Sequence, residues 1–279
     1  LGKPTCEIVV KTYRPTSNRG VERARDRVKT EYAILKALEN PGSGCQGLRT
    51  VSPLLCLPDE LTIVTRKSDG ENLQSLLERE ARVFPRGNEI SRVMMLAGAC
   101  GRWLMNFQRI TRLDAYPLDL SAVIDKIDHL VRVCESQMWW SSPRLRNQIV
   151  SYCRAGRERI TTADLIVSGV HGDYFAGNIL AHGSDVTVLD FEMFRYGSVW
   201  ADVTYFLHQL QTLSLKPTFR PRVVGEAATA FLAGYGVGLA EDCLRQNRLF
   251  NIFSILHIVR RLADSARNGG TTRAKRWYV

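Results

Sequence analysis

The chain has 279 residues, 45% of them apolar and 24% charged, which excludes a disordered protein and allows one large domain or a two-lobed one. Its seven cysteines form no CxxC pair and no zinc-like spacing with histidine, so we expect free thiols in a reducing compartment. Lysine and arginine outnumber aspartate and glutamate by 38 to 28, and the net charge of +10 favours an anionic partner. No basic segment with base-stacking aromatic residues stands out, so we expect no nucleic-acid partner.

The first part of the chain predicts two strands around a helix. Residues 7–13, EIVVKTY, form a short β-type run, and residues 61–65, LTIVT, form another. Between them, Val21 to Glu39 repeats apolar residues at helical spacing until NPGSG stops the pattern. The following KSDGENLQSLL predicts a turn that leads into a helix.

The rest of the chain predicts mostly helices. Long helical patterns cover 88–110, 119–137 and 143–160, and the segment from 200 to about 266 is helical with breaks at Pro217 and Gly234. Two short strands, 178–181 and 186–189, flank the turn HGSD. A β-rich start and a helical remainder predict an α+β fold. No segment is typical of a signal peptide or a membrane span.

Residues 171–192 concentrate the side chains that phosphoryl transfer requires. HGDYFAGNIL contains His171, Asp173 and Asn178, and VTVLDFE places Asp190 after an apolar run. The Asp-to-Asn spacing equals that of the H-x-D-x-x-x-x-N loop of protein kinases, which a D-F-G segment follows. We therefore predict Asp173 as the base, and Asn178 and Asp190 as oxygen ligands of Mg²⁺ at one end of a hairpin.

A strand lysine and a helix glutamate complete this pattern. Lys11 ends EIVVK, and Glu31 shares a helix face with Ile34, Leu35 and Leu38. A glutamate on the buried face of a helix needs a cationic partner. We predict that Lys11 is that partner.

Four segments together carry a family resemblance: VVK, HGDYFAGNIL, VLDFE and YGSVWADVTYFL. Through them the chain resembles the aminoglycoside phosphotransferase and choline kinase-like family, whose members are small-molecule relatives of protein kinases. The resemblance extends from residue 5 to about residue 240. It implies a protein kinase-like two-lobed fold, with a small β-rich N-lobe over 1–66 and a large helical C-lobe over 67–279 that carries an acceptor-binding insert. It also implies ATP or GTP as the phosphoryl donor and Mg²⁺ as the metal.

The resemblance implies a role for each matching residue. Asp173 would orient and deprotonate the acceptor hydroxyl, and His171 would stabilise the loop. Asn178 and Asp190 would hold Mg²⁺. Lys11 would contact the nucleotide phosphates, with Glu31 as its partner.

Further positions follow from the same resemblance. Asp202 would brace the catalytic loop through hydrogen bonds from the next helix. Glu192 would either assist the metal site or pair with a nearby arginine. The adenine would lie against the connector Val64–Lys67, which includes Thr65, and backbone groups of Val64, Thr65 and Lys67 would hold it.

One departure leaves an alternative function open. Only ten residues precede Lys11, too few for the Gly-rich hairpin that covers the phosphates in kinases, so we expect a truncated N-lobe. The first hypothesis is an ATP-dependent phosphotransferase for a small hydroxyl compound, such as a sugar, a glycoconjugate precursor, an amino alcohol or a drug, with an anionic acceptor among the options. The alternative is a catalytically inactive nucleotide-binding module. A metallophosphoesterase would need further Asp and His clusters that the sequence lacks.

Three basic or aromatic features remain outside these motifs. Trp139 and Trp140 are interpreted as packing residues rather than a sugar platform, and an arginine series over 144–159 as a solvated helix face. The tail RNGGTTRAKRWYV combines cations with aromatic residues, as membrane-interface segments do, or is a terminal segment without that role. We expect a cytoplasmic protein, with peripheral contact to the inner membrane face if the tail binds lipid.

Overall fold

The computed structural model describes residues 7–15, 18–39, 48–84, 89–114, 118–137, 143–161, 164–237, 244 and 246–267. The first part of this chain is rich in strands, with one long helix, and helices make up most of the remainder. The predicted α+β class, with a small strand-rich part and a large helical part, is confirmed.

A three-stranded antiparallel sheet carries Lys11. Its strands are β1 (Ile8–Thr12), β3 (Pro53–Leu57) and β4 (Thr62–Arg66), in the order β1-β4-β3. Helix α1 (Asn18–Glu39) packs on this sheet through buried Val28, Leu35 and Leu38, because those residues recur on one helical face. The sheet and α1 therefore bring Lys11 and Glu31 onto the same side of the core.

A second sheet positions the loop that precedes Asp190. It contains β2 (Arg49–Thr50), β8 (Asp185–Val188), β7 (Ile179–His182) and β5 (Glu71–Asn72), in that order. The predicted hairpin is formed by β7 and β8, in which Ile179 lies opposite Val188. β2 precedes the predicted lobe boundary at residue 66 but pairs in parallel with β8, so main-chain hydrogen bonds join the two parts of the chain.

The helices of the second part are α2 (Leu73–Glu80), α3 (Ile90–Ile110), α4 (Leu120–Ser136), α5 (Pro143–Glu158), α6 (Trp200–Ser214), α7 (Pro221–Tyr235) and α8 (Arg248–Arg267). Side chains of Asn72 and Asp119 accept backbone N–H groups at the starts of α2 and α4, which satisfies donors that a helix leaves free. Strands β6 (Val167–Val170) and β9 (Arg195–Ser198) pair with each other in antiparallel orientation, and the 171–194 segment lies between them in the sequence.

The predicted helix break at Gly234 agrees with the structure to within one residue, because Gly236, with φ +85°, terminates α7. α7 continues through Gly234 and ends at Tyr235. A Cβ at Gly234 would overlap the carbonyl oxygen of Gly98 on α3, and one at Gly101 would overlap the carbonyl oxygen of Phe231. Gly234 therefore also meets a packing requirement, because two helix backbones come into contact at this position.

The described cysteines, Cys56, Cys100, Cys134 and Cys153, are free thiols, as expected. Within the described ranges, no helix combines the length and apolar character that crossing a bilayer would require.

Candidate active site

Lys11 lies among three carboxylates. Its Nζ is 3.0 Å from Glu31 Oε2, 2.7 Å from Asp190 Oδ1 and 3.6 Å from Glu192 Oε2. The predicted Lys11–Glu31 ion pair is thus present, and it extends to Asp190 across the junction between the strand-rich and helical parts. Burial alone would lower the pKa of Lys11, but the charges of Glu31 and Asp190 outweigh it and raise that pKa, so the ammonium stays charged at neutral pH.

Glu31 connects three segments. It is 3% exposed and accepts hydrogen bonds from Lys11, from the hydroxyl of Tyr13, and from the backbone N–H of Phe191 at 3.1 Å. Burial raises the pKa of Glu31, and the positive charge of Lys11 opposes that shift. Glu31 therefore ties β1 and α1 to the chain segment directly after Asp190.

His171 joins the catalytic loop to the end of β8. Its Nε2 lies 2.9 Å from the carbonyl oxygen of Leu189, and its Nδ1 accepts the Asp173 N–H at 3.3 Å. A carbonyl can only accept, so Nε2 carries the proton and Nδ1 does not. Burial lowers the pKa of His171, which keeps the ring neutral in this arrangement.

Asp202 holds the same loop from α6. Its carboxylate is buried and accepts the backbone N–H groups of His171 at 2.7 Å and Gly172 at 2.9 Å. Gly172 has φ +85°, and a Cβ there would lie 2.5 Å from the Met193 carbonyl oxygen, so the turn requires glycine. Burial raises the pKa of Asp202, and the nearby His171 and the two N–H donors oppose that shift.

Both carboxylate oxygens of Asp173 are held. Oδ2 accepts from the Asn178 amide nitrogen at 3.0 Å, and Oδ1 accepts from the Tyr205 hydroxyl at 2.8 Å. The same Asn178 nitrogen donates to the Asp173 backbone carbonyl at 3.0 Å. Each carboxylate oxygen retains a second acceptor site, so the carboxylate can still accept a substrate hydroxyl.

Asn178 and Asp190 offer hard oxygen atoms at one end of the β7–β8 hairpin. They come close because the Leu189 N–H donates to the Asn178 carbonyl at 2.9 Å, one residue beyond the Ile179–Val188 pair. The Asn178 amide nitrogen is used by Asp173, which leaves its side-chain oxygen free, and Asp190 Oδ2 has no hydrogen-bond partner among the described residues. Mg²⁺ is bound in proteins by one or two such groups together with phosphate oxygens, so this donor set fits that metal.

Glu192 pairs with an arginine. Its Oε1 is 2.9 Å from Arg27 Nη1 on α1, while Oε2 lies 3.6 Å from Lys11. Of the two roles predicted for Glu192, pairing is the one for which the geometry supplies a partner. A role at the metal site stays a prediction.

The predicted adenine connector is largely strand. Val64 and Thr65 lie in β4, between β1 and β3. The Lys67 N–H donates to the Glu7 carbonyl at 2.9 Å, and its ammonium pairs with the Glu7 carboxylate at 2.7 Å. The Lys67 donor is therefore already used, and the binding of adenine along 64–67 stays a prediction.

Tyr205 and Tyr13 were not predicted from the sequence. Tyr205 follows Asp202 by three residues, so both side chains share the face of α6 that meets the catalytic loop. That i, i+3 spacing inside YGSVWADVTYFL is the signal that could have identified Tyr205. No comparable pattern identifies Tyr13, which contacts Glu31 only through the fold.

Several other predicted features are less informative. Arg144, Arg154, Arg157 and Arg159 are exposed, in agreement with a solvated helix face, whereas Arg146 is half-buried and pairs with Asp128 at 3.4 Å and Glu135 at 3.5 Å. Trp139, Trp140 and the tail 268–279 lie outside the described residues. No group of three or more His, Cys, Asp or Glu side chains suited to a metal occurs within the described part of the chain.

Comparisons with known proteins identify the fold and the family of the chain. The chain is similar in structure to an ADP-bound aminoglycoside phosphotransferase, with 16% identity, a TM-score of 0.59, and coverage of 100% of this chain and 93% of that one. It is also similar to a glucosamine kinase in complex with glucosamine, ADP and inorganic phosphate (17% identity, TM-score 0.62, 88% of this chain and 65% of that one). The choline kinase LicA from Streptococcus pneumoniae is similar too (13% identity, TM-score 0.54, 99% and 85%). These likenesses confirm the kinase-like fold.

No curated protein sequence matches the chain. A sequence model of the phosphotransferase enzyme family, in contrast, matches residues 7–246. That range contains all the predicted site residues, from Lys11 to Asp202. The chain belongs to the phosphotransferase enzyme family and is a kinase.

Proposed function

We propose that the chain transfers the γ-phosphoryl group of ATP to a hydroxyl group of a small molecule, with Asp173 as the base. The observation that carries this proposal is the double restraint of the Asp173 carboxylate by Asn178 and Tyr205. A base contributes to catalysis only when it is held within hydrogen-bond distance of the proton it accepts. Here the loop that carries the base is also tied to Leu189, next to the predicted metal ligand Asp190.

The role of Asp173 follows from its remaining acceptor capacity. An acceptor hydroxyl would donate to a free lone pair of this carboxylate, which orients the oxygen for attack and accepts its proton as the new bond forms. Asp202 acts behind the loop, because its carboxylate holds the His171 and Gly172 N–H groups. His171 is neutral and holds the loop; it does not accept the proton.

Lys11 would neutralise phosphate charge. Its ammonium lies 2.7 Å from Asp190, and Glu31 holds it at 3.0 Å from the other side. Phosphate oxygens would compete with Asp190 for this ammonium, which frees Asp190 to act as a metal ligand. Glu31 keeps the lysine at the junction in both arrangements.

Asn178 and Asp190 would hold the metal through their free side-chain oxygens. When bound, Mg²⁺ and ATP supply the transferable phosphoryl group and the charge neutralisation that its transfer needs. ATP is preferred to GTP in this proposal because ADP is bound in two of the similar enzymes. Three expectations stay predictions. They are a sugar-type acceptor, a cytoplasmic location and membrane contact through the tail.

Replacement of Asp173 by Asn tests the proposal. ATP consumption would be measured with Mg²⁺ and a panel of sugars, sugar phosphates and amino alcohols. We expect Asp173→Asn to bind ATP normally and to lose turnover by roughly 10²–10⁴-fold, the usual contribution of a positioned base.

Asp59→Asn is the matched control, because the Asp59 side chain is 85% exposed in the turn between β3 and β4. The control should retain wild-type turnover. Equal turnover of wild type and Asp173→Asn would show that Asp173 is not the base.

A further inference from the structure

A small cavity opens beside the catalytic loop, between α2, α6 and α8. Its volume is about 200 Å³, and its polar lining consists of Gln74, Gln209, Thr212, Lys216 and Arg261. Phe175, two residues after Asp173, closes one side. Sites for drug-sized ligands measure roughly 300–1,000 Å³, so this cavity accommodates one group of a ligand rather than a whole one.

The charge of this cavity is positive. Lys216 and Arg261 line it, and none of the described lining residues is acidic. Glu78 lies one turn along α2 and accepts a hydrogen bond from the Gln74 amide at 3.1 Å, but it does not line the cavity. No carboxylate pairs with either cation within the described part of the chain.

Arg261 is half-buried, and none of the described carboxylates pairs with it. Burial lowers the pKa of its guanidinium, and the nearby Tyr205 partly opposes that shift. An unpaired buried cation is costly, and an anion in the cavity would relieve the cost. Lys216 lies over the Phe219 ring at 5.6 Å, which leaves its three N–H donors available.

Tyr205 connects the cavity to the base. Its hydroxyl donates to Asp173 at 2.8 Å, and its ring lies 6.4 Å from that of Phe175. Tyr205, Gln209 and Thr212 share one face of α6, so this face runs from the base to the cavity. A substrate with its hydroxyl at Asp173 would extend towards Arg261.

We propose that this cavity is the acceptor subsite for an anionic group, so that the acceptor carries a phosphate or carboxylate in addition to its reacting hydroxyl. Arg261 pairs with that anion, Lys216 adds a second charge, and the side-chain amide of Gln209 donates a hydrogen bond. This inference rests on the proposed function, because it assumes that the hydroxyl is at Asp173.

Matched acceptors that differ at carbon 6, where one member of each pair carries an anionic group, provide the test. Calorimetry would use the full chain saturated with Mg²⁺ and a non-hydrolysable ATP analogue, at constant ionic strength. The probes are glucosamine against glucosamine 6-phosphate, and glucose against glucuronate. We expect the phosphate ester, the carboxylate, or both to bind at least about tenfold more tightly than the partner without the anionic group, as charge-assisted hydrogen bonds predict.

Variants then test whether Arg261 causes the preference for the anionic probe. Arg261→Gln should reduce it to within about twofold, whereas Arg261→Lys should keep most of it, because the charge remains. Arg222→Gln, at a position 90% exposed on α7, should keep it fully. Thermal melts check that each variant is folded.

Two outcomes overturn the proposal. One is equal binding of the probes with and without the anionic group by the wild type, including the absence of binding by all four. The other is a preference that persists in folded Arg261→Gln. Both are distinct from failure of the proposed function, which would appear as normal turnover by Asp173→Asn or as no binding of the nucleotide analogue.

Discussion

At the scale of single residues, the environment of Asp173 decides what the loop can do. The carboxylate is held by Asn178 from its own loop and by Tyr205 from α6. Two donors on different elements restrict its rotation, which free carboxylates otherwise retain. Desolvation and the neighbouring Asp173 raise the pKa of Tyr205 to about 12, so its hydroxyl stays protonated and remains a donor throughout the neutral range.

Removal of the Tyr205 hydroxyl should therefore lower kcat. We expect Tyr205→Phe to reduce kcat by about tenfold, because hydrogen bonds to charged groups contribute about 1.5–3 kcal/mol. The KM for ATP should stay unchanged, since Tyr205 acts on the base rather than on the nucleotide.

Tyr152→Phe serves as the control. Tyr152 is exposed and accepts a hydrogen bond from Asn251 at 3.1 Å, away from the loop. Steady-state kinetics on both variants make the comparison. A Tyr205→Phe enzyme with unchanged kcat would contradict the positioning role.

Site residues that lie near one another in the sequence, or in adjacent predicted elements, could be identified from the sequence alone. His171, Asp173, Asn178 and Asp190 fall within one segment with the spacing of a known loop, and Lys11 and Glu31 follow from a strand and an adjacent helix. Arg261 could not be identified, because its position depends on how α8 packs against α6. Spacing along the chain carries no information about that distant contact.

At the scale of elements, the backbones of α3 and α7 come into direct contact where the helices cross. This contact requires glycine. Gly98 and Gly101 on α3 face Gly234 on α7 with no space for a Cβ at Gly101 or Gly234. Close-packed interiors do not accommodate an added methyl group without displacement.

Two substitutions within α7 separate packing from helix propensity. Gly234→Ala should destabilise the chain by about 1–3 kcal/mol, because the added Cβ forces the helices apart. Gly225→Ala should stabilise it by about 0.5–1 kcal/mol, because the Gly225 Cβ direction is open and alanine favours helix. Urea unfolding of both variants gives the values. An unchanged free energy of unfolding in Gly234→Ala would contradict the close approach of α3 and α7.

Elements with a strong local pattern were predictable, and short paired elements were not. The β7–β8 hairpin was predicted because two apolar runs flank the turn HGSD. β2 has only two residues, and the pairing of β3 shifts register between Pro53 and Leu55, so neither has a regular alternation to detect. The end of α7 beside Gly234 was predicted to within one residue. The contact of Gly234 with α3 was not predicted, because a glycine in a helical pattern indicates either a break or a close contact.

At the scale of the whole molecule, the site spans the strand-rich and helical parts. Lys11 comes from the first sheet, and Asp190 follows the hairpin of the second, 179 positions later in the chain. A ligand that contacts both should stabilise the molecule as a unit, because it binds the folded state only.

Nucleotide binding should therefore raise Tm. At a ligand concentration of about 100 Kd, Mg²⁺ with a non-hydrolysable ATP analogue should add about 2.7 kcal/mol, or roughly 5–10 °C in Tm. EDTA should remove most of the increase in Tm, because Asn178 and Asp190 are proposed to contact the nucleotide through Mg²⁺. Lys11→Met should lose it as well.

Lys36→Met is the control for this measurement. Lys36 pairs with Glu39 at 2.9 Å near the end of α1 and is exposed. Scanning calorimetry with and without the nucleotide compares the three proteins. A full Tm increase in Lys11→Met, or one that is insensitive to EDTA, would show that the nucleotide binds elsewhere.

The most direct measurement of the central claim is the identity of the phosphorylated product. The wild-type chain would be incubated with ATP, Mg²⁺ and the acceptor panel, and the products followed by phosphorus-31 NMR. The account predicts ADP and a phosphate monoester in equal amounts, with neither formed by Asp173→Asn on the same timescale. Inorganic phosphate without an ester would indicate hydrolysis, and intact ATP despite normal nucleotide binding would indicate an inactive module; either result would contradict phosphoryl transfer to a hydroxyl.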